Sequence, residues 1–229
     1  MTDEAKARAN QQAREERKKA HLEGIFRHYT EQFRAAENQD APSVARGIHS
    51  TIDHVLDRDR KKSPTSGDIR CRARCNHCCH EPVEIWPHEA ALLVASVREA
   101  GMELDTARLE RQSQYNIDTW RQQPIVDRAC VFLSDDGACK VYAGRPNACR
   151  KLLVVTDPAL CDAQKHPPDS VGRWFSMEAE ILESAALETF GAALMPHLLL
   201  AALNGCIHED AQSPPLPDLP PPAGERSVR

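Results

Sequence analysis

Apolar residues are nearly absent from the first twenty positions, where charged residues, Gln and Ala predominate, and this predicts a solvated helix with little to bury. Beyond it Leu22, Ile25, Phe26, Tyr29 and Phe33 recur at helical spacing and define one apolar face. Asn38-Gln39-Asp40-Ala41-Pro42 interrupts the pattern, with Asp40 suited to cap a second helix and Pro42 to sit in its first turn. That second helix carries Val44, Ile48, Ile52 and Val55, so a helical hairpin of roughly residues 20 to 60 is expected to pack on the core. His28, His49 and His54 on this hairpin read as surface or packing residues.

Lys62-Ser63-Pro64-Thr65-Ser66-Gly67 is a loop by composition. Further on, Pro82-Val83-Glu84-Ile85-Trp86 predicts a short extended piece, and Pro87 opens a helix to about Ala100 that Gly101 ends. A more polar helix is expected from Asp105 to Gln122. Val131–Leu133 and Lys140–Tyr142 read as β pieces flanking Asp135-Asp136-Gly137, a strong hairpin signal, and 152–155 as another strand. From about Ser176 to Leu203 the pattern is helical again, with a bend near Pro196 and a stop at Asn204-Gly205. Segment 211–229 is Pro-rich without apolar periodicity and is expected to be disordered. The chain thus divides into an N-terminal helical extension (1–62), a cysteine-rich domain with C-terminal helices (63–210) and the tail.

The net charge of −5 gives no reason to expect nucleic-acid or membrane binding by bulk electrostatics. The most apolar run, from Phe190 to Leu203, is shorter than a bilayer span and contains Pro196 and His197. The N-terminus has no apolar stretch of the kind a signal peptide needs, and a cytoplasmic location is expected. A protein partner, if there is one, would dock on the N-terminal helices or the Pro-rich tail.

Nine cysteines alter this picture. Cys71, Cys75, Cys78 and Cys79 follow a C-x3-C-x2-C-C pattern, and Cys130, Cys139, Cys149 and Cys161 form a second group. Thiols this dense in a reducing compartment point to bound metal rather than disulfides, and the odd count argues the same way. Thiolate is a soft donor for zinc and iron, and a structural site takes four. Cys75-x2-Cys78 is the turn pair, while the adjacent side chains of Cys78 and Cys79 diverge, so they serve different metals or one lies behind the other. Eight thiols suit two four-thiolate sites, an iron–sulfur cluster plus a mononuclear site, or one four-cysteine site with spare thiols. Arg70, Arg72 and Arg74 interleave the first group, and Lys140, Arg145, Arg150 and Lys151 flank the second, where cations offset thiolate charge. His77, His80 and His88 are alternative donors, and the isolated Cys206 is expected as a small buried hydrophobe. Catalytic residues are not identifiable from any motif.

The run Cys71-x3-Cys75-x2-Cys78-Cys79, followed by Cys130-Val-Phe-Leu, Asp136-Gly137-x-Cys139-x-Val-Tyr142, and Arg145-Pro146-x2-Cys149-Arg150, resembles the YkgJ-type cysteine-cluster proteins over roughly residues 70 to 165. The resemblance implies zinc or iron chelation at the matched cysteines. More distantly the pattern looks like the flagellin lysine methylases, whose cysteine cluster is proposed to hold an iron–sulfur centre. The expectation is a mainly α fold with small β pieces (α+β) whose irregular centre is clamped by thiolate-bound metal, with an iron–sulfur cluster slightly ahead of zinc. An enzyme of methylase or redox type and a zinc-stabilised interaction module are the alternatives.

Overall fold

The computed structural model describes residues 3–206, so the Pro-rich segment 211–229 lies outside it. In chain order the elements are α1 (Asp3–Ala36), α2 (Ala41–Lys62), β1 (Glu84–Ile85), α3 (Pro87–Glu99), α4 (Thr106–Gln112), α5 (Ile117–Trp120) and α6 (Ile125–Arg128). They are followed by α7 (Asn147–Lys151), β2 (Leu153–Val154), β3 (Arg173–Trp174), α8 (Met177–Phe190), β4 (Ala193–Leu194) and α9 (Met195–Leu203). Two antiparallel ribbons, β1 with β4 and β2 with β3, are the sheets of a mainly α architecture.

The outer half of α1 is exposed and held by pairs one turn apart, Gln11–Glu15 and Gln12–Glu16 at 3.1 Å each. Such pairs contribute about 0.2–0.5 kcal/mol apiece. Its inner half buries Tyr29 and Phe33. Asp40 caps α2 by accepting from the Ser43 amide at 2.9 Å, and Pro42 lies in the first turn, where its missing N–H costs nothing. The two helices turn their apolar faces to different neighbours: α1 lies along α8, and α2 lies mainly on α3. One core joins Tyr29, Phe33, Ile48, Ile52, Val55, Trp86, Trp174, Leu182 and Phe190. A second joins Ile85, Leu93, Leu109, Phe132, Val141 and Leu199, with the half-buried Cys130 and Cys139 packed against it. Adjacent residues Ile85 and Trp86 send one side chain into each core, as alternation along an extended piece requires.

Three expected elements differ. The polar helix of 105–122 is broken, because Asn116 starts a new one: its Oδ1 accepts the Thr119 amide at 2.8 Å while Thr119 Oγ1 accepts the Asn116 amide at 2.9 Å. An Asn that bonds its own backbone in this way competes with helix continuation. The fully buried Gln112 then donates to the carbonyls of Asp127 and Ala129, at 2.8 and 2.9 Å, and folds α6 back on α4. The C-terminal helix is divided at Gly191 (φ +74°) rather than bent at Pro196. β4 pairs there with β1, and Pro196 occupies the first turn of α9. The hairpin around Gly137 closes through a single bridge, Leu133 with Cys139, and its second arm turns helical at Tyr142 instead of extending.

Behind the cysteine segments lies a buried pair absent from the sequence reading. Glu89 on α3 accepts the Asn147 amide at 2.7 Å, and its Oε1 lies 2.9 Å from His49 Nε2. Glu89 Oε2 and both polar side-chain atoms of Asn147 have no hydrogen-bond partner among the described residues. Burial raises the Glu89 pKa and lowers that of His49, so both are held uncharged. A raised carboxyl pKa stabilises the fold at low pH, and this is lost as pH climbs past the ordinary carboxyl value of 4.5. A lowered imidazole pKa contributes stability that is lost as pH falls below the ordinary 6.5. Between those values the two effects cancel, since the unfolded chain trades one proton for another. Urea unfolding of metal-free protein should therefore show stability falling from pH 6.5 towards 8, and Glu89→Gln should flatten that decline; an unchanged slope in the variant would exclude Glu89 as its source.

Candidate metal centre

The segment of the first four cysteines has little regular structure and is held by its ends. At its start the Arg70 amide donates to Val154 O at 2.8 Å, and the Val154 amide donates to Cys71 Sγ at 3.3 Å, so the β2 ribbon backs Cys71. Arg74 takes a left-handed conformation (φ +66°), which turns the chain so that the Cys75 amide meets Arg72 O and His77–His80 forms a 3₁₀ turn. At its far end His80 O accepts from Trp120 Nε1 at 2.9 Å and from Arg128 Nε at 3.1 Å. Glu81 bridges Arg121 and the buried Arg128. The helices α5 and α6 thus grip the cysteine turn from outside.

The second group reaches this turn along two routes. The Cys130 amide donates to Cys79 O at 2.8 Å, which brings the first arm of the hairpin onto the doubled cysteine. The hairpin tip docks as well: Arg74 and Asp136 form an ion pair at 3.0 Å, and Gly137 lies directly over Asn76. Cys149 rides on α7, whose first amide is the one Glu89 holds. Cys161 ends a 3₁₀ turn (Pro158–Cys161) that packs on the His77–His80 turn.

All eight clustered cysteines have free thiols, as does Cys206, which is exposed and apart from them rather than buried as expected. Burial raises the thiol pKa of Cys75, Cys130, Cys139, Cys149 and Cys161, with neighbouring thiols adding to it. Cys130 reaches about 12. A hydrogen bond donated by its own thiol to the Cys79 sulfur, then burial, raises that of Cys78. Amide groups oppose the shift: the N–H of His77, Phe132 and Val141, each two residues on, points at the sulfur of Cys75, Cys130 and Cys139. Amides aimed at sulfur stabilise thiolate, as a metal ligand must be. Donor chemistry and amide orientation therefore fit a thiophilic metal. Among the described residues, however, no three Cys, His, Asp or Glu side chains already stand where they could hold one, so the expected clamp is not formed in the protein alone.

The cations divide unevenly. Arg145 lies near Cys78 and Cys139 and stacks on the exposed Tyr142 ring at 4.2 Å. Arg72 acts on Cys75, Arg108 on Cys130 and Arg173 on Cys161. Arg150 is committed elsewhere, to Asp53 at 2.6 Å and to the carbonyls of Ala143 and Arg145. Lys151 sits between Glu180 and Glu183. His88 is buried and packs at a tilt on Phe190 of the first core, with ring centroids 4.1 Å apart. Arg108 and Arg173 were missed because they are distant in sequence from any cysteine.

Gly137 combines a positive φ (+82°) with a would-be Cβ 3.1 Å from Asn76 Nδ2. Gly137→Ala should cost about 1–2 kcal/mol in thermal unfolding through backbone strain and should loosen the contact between hairpin tip and cysteine turn. A melting temperature equal to that of the parent would show the tip to be free of the turn.

No curated protein and no solved structure matches this chain. Residues 70–167 match the model of the CxxCxxCC family, described as "Putative zinc- or iron-chelating domain", the same family as the YkgJ-type proteins. That span contains all eight clustered thiols and the turns that carry them, so the likeness to this family covers the whole cysteine cluster.

Proposed function

We propose that the protein binds iron or zinc through its cysteine cluster and that the metal completes the fold of residues 70–167. The observation that carries this reading is the gathering of eight free thiols onto one irregular surface, three of them with amides aimed at sulfur. Thiols with raised pKa values are neutral near pH 7, so binding exchanges S–H bonds for S–metal bonds and releases the protons to solvent. In this reading residues 63–210 carry the metal chemistry and residues 1–62 buttress it. Free thiols suit a reducing compartment, and we place the protein in the cytoplasm on that ground.

One tetrahedral ion needs four thiolates, and the cluster offers more. An iron–sulfur cluster, in which inorganic sulfide joins the irons, meets that surplus, and so do metal ions joined by cysteine itself. A cleft of about 220 Å³ beside Cys75, bordered by Arg72, Arg74, Asn76, His77 and Asp157, favours a second reading in which the centre serves an enzyme of methylase or redox type.

Protein purified without oxygen should carry metal and melt at a higher temperature than chelator-treated protein. Brown protein with sulfide equal to iron identifies an iron–sulfur cluster, and colourless protein with zinc identifies a thiolate site. Protein that binds neither metal, and whose melting is indifferent to chelator, would sink the proposal.

A further inference from the structure

The cleft of about 220 Å³ beside Cys75 is bordered by charged and polar side chains that are not thiols. The cysteine turn contributes Arg72, Arg74, Asn76 and His77, and the start of the 3₁₀ turn at Pro158 contributes Asp157. Asp157 is already engaged, its Oδ1 accepting the Ala159 amide at 2.9 Å. Arg72 forms no ion pair among the described residues. With two guanidiniums against one carboxylate, the border of the cleft is positive on balance. Arg74 is the more telling of the two. The Cys75 amide donates to Arg72 O at 3.1 Å and closes a turn whose third residue is Arg74, in left-handed backbone (φ +66°). Glycine is the usual occupant of that position, because a Cβ there crowds the following carbonyl oxygen. Among the described residues no other side chain larger than glycine's stands on a positive φ. The Arg74–Asp136 ion pair, at 3.0 Å, has side chains 67% and 53% exposed. Ion pairs so open to solvent contribute little, so this one does not offset the backbone cost. Strain that is kept in this way concentrates where a side chain serves a ligand.

We propose that this cleft binds a small acidic ligand by one oxyanion group, phosphate or carboxylate, held by the guanidiniums of Arg72 and Arg74 with the Asn76 side-chain amide as a further donor. A guanidinium offers parallel N–H donors that match two oxygens of either group. The volume sets the size of the ligand: it admits the anion and a few attached carbons, and it lies below the range of sites that enclose drug-sized molecules. Asp157 at the border repels a second negative group, which selects a ligand with one. The inference gives the enzyme reading above a class of substrate and rests on that reading for what becomes of the ligand. Binding itself does not rest on it, since none of the three donors is a thiol and no bond is made or broken.

The test titrates the full-length chain, metal-free and metal-loaded, with sodium phosphate and with sodium acetate at constant ionic strength, followed by calorimetry and by amide chemical shifts. Saturable shifts confined to residues 72–77 and 157–159 are expected with at least one anion, and the anion that produces them names the ligand's acid group. Arg72→Gln should weaken that binding about tenfold or more. Arg74→Gly should weaken it as much while the melting temperature holds or rises, because glycine relieves the backbone. Asp136→Asn removes the ion pair from outside the cleft and should leave the affinity unchanged or tighter. Arg72→Gln alters neither the left-handed residue nor the ion pair, so it decides the matter where Arg74→Gly unsettles the fold. Absence of saturable binding by either anion, or affinity unchanged in Arg72→Gln, overturns the site. An Arg74→Gly chain that melts lower and keeps its affinity also overturns it, by assigning Arg74 to its ion pair alone. Metal content measured on the same samples separates the two readings, since a chain that loads metal and binds neither anion overturns this site and leaves the metal centre standing.

Discussion

Eight thiolates cannot share a small volume unless cations intervene, and the arrangement of the protein around the cluster follows from that constraint. With protons on sulfur the repulsion vanishes, which is the state the raised thiol pKa values describe. Neutral thiols attract one another only weakly, so nothing in the sulfur atoms themselves draws the turns together. Helices must do it: α5 and α6 hold the end of the cysteine turn at His80 and Glu81, β2 holds its start, and Glu89 holds the helix of Cys149. The helical frame brings the thiols near one another, and in the proposed function the metal completes their convergence.

That division of labour accounts for the two cores. One lies under the N-terminal helices and α8 and contains no cysteine, whereas the other presses against Cys130 and Cys139. Trp86 and Ile85 link them through adjacent residues, so the core behind the cluster is continuous with the core that contains no cysteine. The N-terminal helices contribute to the first core at Tyr29, Phe33, Ile48 and Ile52, which makes them part of the support.

Much of this was legible in the sequence because it is local. Helical spacing located α1, α2 and α3, Asp40 announced its cap, and Asp136-Gly137 announced a turn. The cysteine spacing itself carried the family resemblance. What could not be read depends on contacts between distant residues. The Asn116 capping box cut a helix that periodicity left whole, and pairing with β1 pulled residues 193–194 out of another. Nothing in the spacing of His49, Glu89 and Asn147 marks them as neighbours, because three separate elements bring them together.

The succession of α7 and β2 has a mechanical consequence. Cys149 lies on α7, and five residues later Val154 supplies the amide that anchors Cys71. Between them Arg150 is bound to α2 and Lys151 to α8, so this short stretch is pinned at its middle and carries a thiol contact at each end. Cys149 and Cys71 are thereby tied to the same two helices, so a substitution that loosens the hold of α2 or α8 on this stretch reaches both thiols.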